Sequence, residues 1–421
     1  MPQLTKEDEL YWLALRLIPG LGARKAGQLL ETYHTPQAIF RGSRSELEAA
    51  GLAGSVAQSL ASGCSFEDAS VMQQSMRDAG AVLITRFDER YPPRLAEIFD
   101  PPIVLFARGR VELLSELMIG VVGTRRPTPY GTAVAERIAG DLARSGLVVA
   151  SGMARGIDTA AHRGALDAGG DTVAVFGCGV DMVYPSENRK LAAQLAEQGL
   201  LVSEFPMGAP AYPQNFPIRN RIISGMSLGV VVVEGAQYSG SSITARLALD
   251  HGREVFAVPG NVTSKMSWGP NLLIKQGAKL VQDYNDVIVE LAPELRRRLA
   301  EKGRARLGAG ADGAPVQDDL PLGPASATAR AVLGLLRVDQ ADVGLDGRHR
   351  IHLPLARRAG QHNVPRAAFA QVFLRKEQVL NAAFVLFVDQ IILGLFTRAI
   401  VKHQQVKRQT GILAGAIQAD F

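Results

Sequence analysis

A chain of 421 residues, 47% hydrophobic and 21% charged, has room for two or three domains and enough apolar material to bury a core, which excludes global disorder. Its two cysteines, Cys64 and Cys178, lie far apart in no metal-ligand pattern and read as reduced thiols of a cytoplasmic protein. The net charge of +5 suggests a field for nucleic acid, yet of 46 basic and 41 acidic residues 11 and 4 fall within residues 343–421, leaving 35 against 37 elsewhere. Any nucleic-acid argument therefore rests on where particular arginines fall.

In chain order, Met1–Glu9 is acidic where a secretion signal would be basic and apolar, so none is expected. Residues 1–75 read as a small helical domain. Leu13, Leu15, Leu17 and Ile18 run into Pro19-Gly20-Leu21-Gly22, and an amphipathic pattern through Ala26, Leu29 and Leu30 follows. This is the form of a helix-hairpin-helix, whose glycines let backbone amides approach a phosphate, and it is equally the form of a bundle used for packing or dimer contacts. A second helix pair is expected around Gly51-Leu52-Ala53-Gly54. Residues 81–85 and 103–106 are strand candidates, and Pro92, Pro93, Pro101 and Pro102 between them suggest an extended segment added at a sheet edge.

From 119 to about 283 short apolar runs alternate with helical stretches. The runs fall at 119–122, 147–150, 172–176, 200–203, 229–233, 254–258 and 279–281, with helices expected over 132–144, 158–168, 186–198, 217–226 and 242–251. Continuous rather than alternating apolar runs mark strands buried on both faces, and their alternation with helices predicts a doubly wound, mostly parallel sheet. Residues 284–302 read as a closing helix, and a Gly/Ala/Pro-rich linker is expected over 303–326. The atypical region 327–421 ends with an apolar run, Val379–Phe396, of about membrane-span length; Asn381, Asp389 and Gln390 inside it argue against a span.

Ligands of such sheets bind beyond the carboxyl ends of the strands, and five ends carry unusual residues. Gly123-Thr124-Arg125 breaks a strand into a turn that offers backbone amides and a guanidinium to an anion. The next glycine is Gly131, so the dinucleotide spacing is absent and no cofactor is expected. Ser151–His162 holds Asp158 or Thr159 as a helix cap, with His162 as a helix-surface partner of Asp158; a catalytic pair is the competing reading. Asn188, Arg189 and Lys190 open a helix where cations are electrostatically misplaced, which a bound anion would relieve; a solvated basic turn is the alternative. Arg219, Asn220 and Arg221 follow a loop with Tyr212, Asn215 and Phe216, combining guanidinium forks with stacking faces for unpaired bases. The competing assignment pairs Arg219 and Arg221 with Glu204 and Glu234, and since they diverge on a helix each could do a different job. Ser239, Gly240 and Ser241 form a hydroxyl-rich helix start suited to an oxyanion.

These motifs resemble the DNA-processing DprA (Smf) family: Gly-Thr-Arg at 123–125, Ser-Gly-Met-Ala-Arg-Gly-Ile-Asp-Thr-Ala-Ala-His at 151–162, Tyr-Pro-x-x-Asn at 184–188, Phe-Pro-Ile-Arg-Asn-Arg-Ile-Ile-Ser-Gly at 216–225, Ser-Gly-Ser-Ser-Ile-Thr at 239–244 and Val-Pro-Gly at 258–260. The resemblance runs through most of residues 81–290 and implies an extended Rossmann-like domain at 80–302 that binds and protects single-stranded DNA. It further implies help in loading RecA during natural transformation, usually as a homodimer, with no catalysis and no membrane. Its single-strand pocket would involve Arg125, Arg189 and Lys190, with Arg219 and Arg221 on the same rim. Many members end in a winged helix, of which nothing is legible beyond Ala341, a composition break that fits a frameshifted or divergent reading. The rival class, a nucleoside-monophosphate phosphoribohydrolase on a related scaffold, needs a carboxylate at the helix start, and Ser239–Arg246 supplies none.

Overall fold

In a computed structural model, residues 4–308 apart from Tyr238 are described. The linker from 309 onward and the whole of 327–421, including Val379–Phe396, lie outside them. Six helices come first: α1 (Lys6–Leu17), α2 (Ala23–Tyr33), α3 (Pro36–Arg41), α4 (Arg44–Ala49), α5 (Gly54–Ser62) and α6 (Phe66–Asp78). Thr5 caps α1 in a capping box with Asp8, which satisfies two orphan donors at once. The turn between α1 and α2 needs Gly20 at φ 78°, and Gly51 at φ 85° does the same between α4 and α5.

The remainder alternates: β1 (Val82–Thr85), α7 (Pro93–Ala96), β2 (Val104–Gly109), β3 (Met118–Val122), α8 (Pro129–Arg144), β4 (Val148–Ser151), α9 (Ile157–Asp167), β5 (Thr172–Val175), α10 (Arg189–Gln198), β6 (Leu200–Ser203), α11 (Asn215–Met226), β7 (Ser227–Val232), α12 (Gly240–Asp250), β8 (Glu254–Ala257), α13 (Trp268–Lys275), β9 (Lys279–Leu280), α14 (Asn285–Ile288) and α15 (Pro293–Gly308). The strands form one nine-stranded sheet in the order β1-β2-β6-β5-β4-β3-β7-β8-β9, with β1–β2 and β2–β6 antiparallel and the rest parallel. This is the doubly wound sheet read from the apolar runs, with the proline-flanked strands added antiparallel at its edge. The chain order reverses between β3 and β7, which puts the topological switch point, where such folds bind ligands, beyond their carboxyl ends.

One face of the sheet carries α8, α9 and α10, with Ile119, Val121 and Val149 packed under the first two. Phe106 and Leu201 continue that face under α10 and share an apolar cluster with Trp12 and Leu30 of the leading helices. Val173, Val175 and Val230 face the other way, onto α11 and α12. The closing helix expected over 284–302 is two, because Pro293 cannot continue α14 and instead opens α15. Since α15 runs through Gly308, the expected linker does not begin at 303.

Helices α8 and α9 meet backbone to backbone at Gly164, where an added Cβ would stand 2.2 Å from the Glu136 carbonyl oxygen. Alanine is the better helix former by about 1 kcal/mol, so a loss there isolates the steric contact. Gly164→Ala is expected to destabilise the protein by about 1–3 kcal/mol in denaturant titration; an unchanged midpoint would mean the two backbones are not in contact.

Candidate nucleic-acid interface

The switch-point crevice is occupied by the protein itself. Glu234, buried just after β7, accepts the Thr128 amide at 2.9 Å and the Thr128 hydroxyl at 2.6 Å, and Thr128 is the cap of α8. Its carboxylate therefore lies where the positive end of α8 would draw a phosphate. Gly131 is packed so closely that a Cβ would meet the Glu234 carboxylate at 2.2 Å. In the turn itself, the Thr124 amide donates to the Glu234 carbonyl at 2.7 Å and the Thr124 hydroxyl accepts the Arg126 amide. Gly123 is wedged against Ile157, where a Cβ would stand 2.5 Å from its Cγ1. The reading of Gly123 and Thr124 as an open anion cradle is thus corrected: of the three residues of the turn, Arg125 alone is exposed. Its guanidinium lies 5.0 Å from the centre of the Phe216 ring.

Phe216 belongs to the first turn of α11, and Tyr184 stands beside it with ring centroids 5.7 Å apart and planes tilted by 40°. Gly177, after β5, lets the Phe216 ring lie flat on the backbone, since a Cβ would stand 3.0 Å from it. Tyr184 is 45% exposed. Arg125, Phe216 and Tyr184 form one platform of a guanidinium and two rings, and no carboxylate among the described residues pairs with Arg125. The two rings come from segments far apart in sequence, which is why reading the chain did not join them.

The arginines of α11 are elsewhere. Arg221 is buried, bonded to Glu204 at 2.5 Å and facing Asp100 at 3.3 Å. Arg219 is 3% exposed and donates to the Val175 carbonyl at 2.9 Å behind Phe216, 5.9 Å from that ring. Neither is on the rim. Arg221 takes the structural pairing with Glu204, whereas Arg219 does not reach Glu234, which α8 has claimed. Burial, together with the charge of Arg125, depresses the Arg219 guanidinium below its ordinary value against the opposing pull of Asp158. Asn220 is buried too, its amide 3.5 Å from the Gly240 carbonyl.

Asp158 and His162 are not the surface pair expected from their spacing. The cap of α9 is Gly156, and the Asp158 carboxylate folds back to the amides of Gly152 and Ala154 at 3.2 and 3.3 Å. His162 is fully buried against the Thr172 hydroxyl at 2.7 Å, and burial pushes its pKa down to about 3. Asn188 also turns inward, donating to the Met153 carbonyl and the Thr159 hydroxyl, both at 2.9 Å. That bond holds Met153 at φ 57°, a conformation an L-residue adopts only when its surroundings enforce it. Arg189 and Lys190 remain exposed at the start of α10, and neighbouring Arg155 is tied to Glu187 at 2.5 Å. Ser239 caps α12 without a side-chain bond to its amides and instead meets the Ser241 hydroxyl at 2.7 Å; a Cβ on Gly240 would meet open space. Burial pushes the Cys178 thiol up to about 11, which makes it a poor nucleophile. Among the described residues no group of three His, Cys, Asp or Glu side chains could hold a metal ion, and no helix is long and apolar enough to cross a membrane.

Fold and rim together define an α/β protein that carries a cationic and aromatic strip at the strand ends. Residues 82–292 match the family described as DNA recombination-mediator protein A. The chain is 45% identical over 216 residues to DNA processing protein DprA of Bacillus subtilis, spanning 51% of this chain and 73% of that protein. It is 47% identical over 210 residues to protein Smf of Escherichia coli, spanning 50% and 56%. The X-ray structure of DNA processing protein A from Streptococcus pneumoniae aligns with a TM-score of 0.61 and 34% identity over 67% of this chain and 98% of that one. The chain belongs to the DNA recombination-mediator protein A family, the DprA or Smf proteins.

His162 carries a pH signature. Its folded pKa of about 3 lies below the ordinary 6.5, so its contribution is complete above 6.5 and is lost as pH falls toward 3. Between pH 6.5 and about 3, denaturant titrations should show the wild type losing about 1.4 kcal/mol per pH unit relative to His162→Leu; parallel profiles would mean that His162 is not buried as the neutral ring.

Proposed function

We propose that this protein binds single-stranded DNA along the carboxyl rim of its sheet, shields it, and hands it to RecA recombinase as a homodimer in the cytoplasm. The observation that carries the binding step is Arg125 held over the Phe216 ring with Tyr184 beside it and no carboxylate partner among the described residues. A half-exposed aromatic face can stack an unpaired base, while the bases of a duplex are already stacked on each other. Arg125, Arg189 and Lys190 supply phosphate contacts, and the start of α12 at Ser239 and Gly240, with Ser241 buried behind it, supplies amides to a further phosphate. Arg219, Asn220, Arg221 and Asn188 support this rim from beneath rather than touching the strand. The homodimer, the protective role and the transfer to RecA rest on membership of the recombination-mediator family.

Fluorescence anisotropy with labelled oligo-dT and a duplex of equal length, over a salt series, tests the binding step. Single strand should bind more tightly, and Arg125→Ala should weaken binding at all sequences and reduce the salt slope by about one. Phe216→Leu keeps the packing on Gly177 but removes the ring, and should cost about 1–3 kcal/mol, roughly 5- to 150-fold in affinity. Equal affinity for duplex, or no effect of either substitution, would refute the rim.

A further inference from the structure

A second site opens on the flank of this rim. A cleft of about 290 Å³ lies between α10 and strands β2 and β6, lined among others by Arg108, Arg189, Met182, Val183 and Leu201. Arg108 is opposite Leu201 in the β2–β6 register, so both side chains rise from the same face of the sheet. On that face β2 places Val104, Phe106 and then Arg108, the first two in the apolar cluster under the helices. A half-buried arginine thus stands where the alternation calls for a third apolar residue. Two residues on, Arg110 is paired with Asp171 and Glu112 at 2.6 and 2.9 Å. Among the described residues the Arg108 guanidinium has no hydrogen bond or ion pair, and nor has that of Arg189 across the cleft. Asp181, the carboxylate in the lining, is engaged by the Gly208 amide at 2.9 and 3.0 Å.

We infer that this cleft takes one further nucleotide of the same DNA strand, its phosphate between Arg108 and Arg189 and its base against Met182, Val183 and Leu201. The inference rests on the single-strand reading of the rim. Continuity favours a nucleotide over another anion: Tyr184 of the platform follows Val183 of the cleft directly, and Arg189 lines the cleft from the first turn of α10. A strand leaving the platform past Tyr184 meets Arg189 next. The size agrees, because the cleft is at the small end of ligand pockets, which span roughly 300–1,000 Å³, and has room for a single unit but not for a duplex. The apolar walls suit a base, and the paired guanidinium forks suit a phosphodiester.

The test uses the full chain, oligo-dT of 20 nucleotides, and the same strand with abasic sites. Arg108→Gln should weaken oligo-dT binding about fivefold or more and lower the salt slope by about one. Ala193→Trp, at an exposed position on the cleft wall, fills the space without touching the core. It should weaken oligo-dT binding and reduce the discrimination between intact and abasic strands. Retained thermal unfolding of both variants excludes loss of fold as the cause. If Arg125→Ala weakens binding while Arg108→Gln and Ala193→Trp bind both strands as the wild type does, the cleft is overturned and the rim stands. If Arg125→Ala has no effect either, the rim reading itself is overturned.

Discussion

The carboxyl end of the sheet is organised around a guanidinium in the core. Arg219 threads from α11 past Gly152, where an added Cβ would lie 1.5 Å from its Nη1, to reach the carbonyl of Val175. No side chain other than hydrogen is compatible with that path. A buried cation is tolerated only with compensation, and here the carbonyl and the nearby Asp158 carboxylate supply it. Asp158 in turn gathers the amides of Gly152 and Ala154, so the Arg219 bond to Val175 and the Asp158 bonds together pin the β4–α9 loop, α11 and the end of β5. Phe216 sits three residues ahead of Arg219 on α11, on the same side of the helix, and its position is inherited from that anchor.

The second constraint is the carboxylate at the switch point. Rossmann-like sheets present the first helix after the first strand to a bound phosphate. In this chain Glu234 lies there instead, on the cap residue of α8, and Gly131 is cut back to make room. A mononucleotide or dinucleotide would have to displace an internal anion already bonded to the positions it needs. The crevice is thereby converted from a ligand site into a structural joint between β7 and α8.

The strands were legible because buried parallel strands are continuous apolar runs, and Val148–Ser151 or Thr172–Val175 show that without ambiguity. The rim was legible as a set of strand ends but not as a set of contacts. Glu234 meets Thr128 across 106 positions, and nothing in spacing assigns a carboxylate to a distant cap rather than to a nearer arginine. Asp158 and His162 misled for a local reason: polar residues four apart on a helix usually mark its exposed face, whereas these two serve a loop and a strand on the buried side. Arg221 was decidable only between two options, because both a phosphate and Glu204 satisfy a guanidinium. Distance and burial settled it.

The way each guanidinium is held then decides what it can do. A carboxylate orients an arginine but cancels its charge, as with Arg155 on Glu187 or Arg221 on Glu204. An aromatic face orients it through the ring quadrupole and leaves the charge intact. Arg125 is held in the second way. Its orientation is largely settled before a ligand arrives, so less side-chain freedom is lost on binding than for a guanidinium extended into solvent. The described residues outside the basic tail need no positive field for this, and a nearly balanced charge there is no obstacle. On the proposed reading a phosphate would be attracted by the few cations that the fold has oriented without neutralising, and the neighbouring half-exposed Tyr184 ring would be the face left for the base attached to that phosphate.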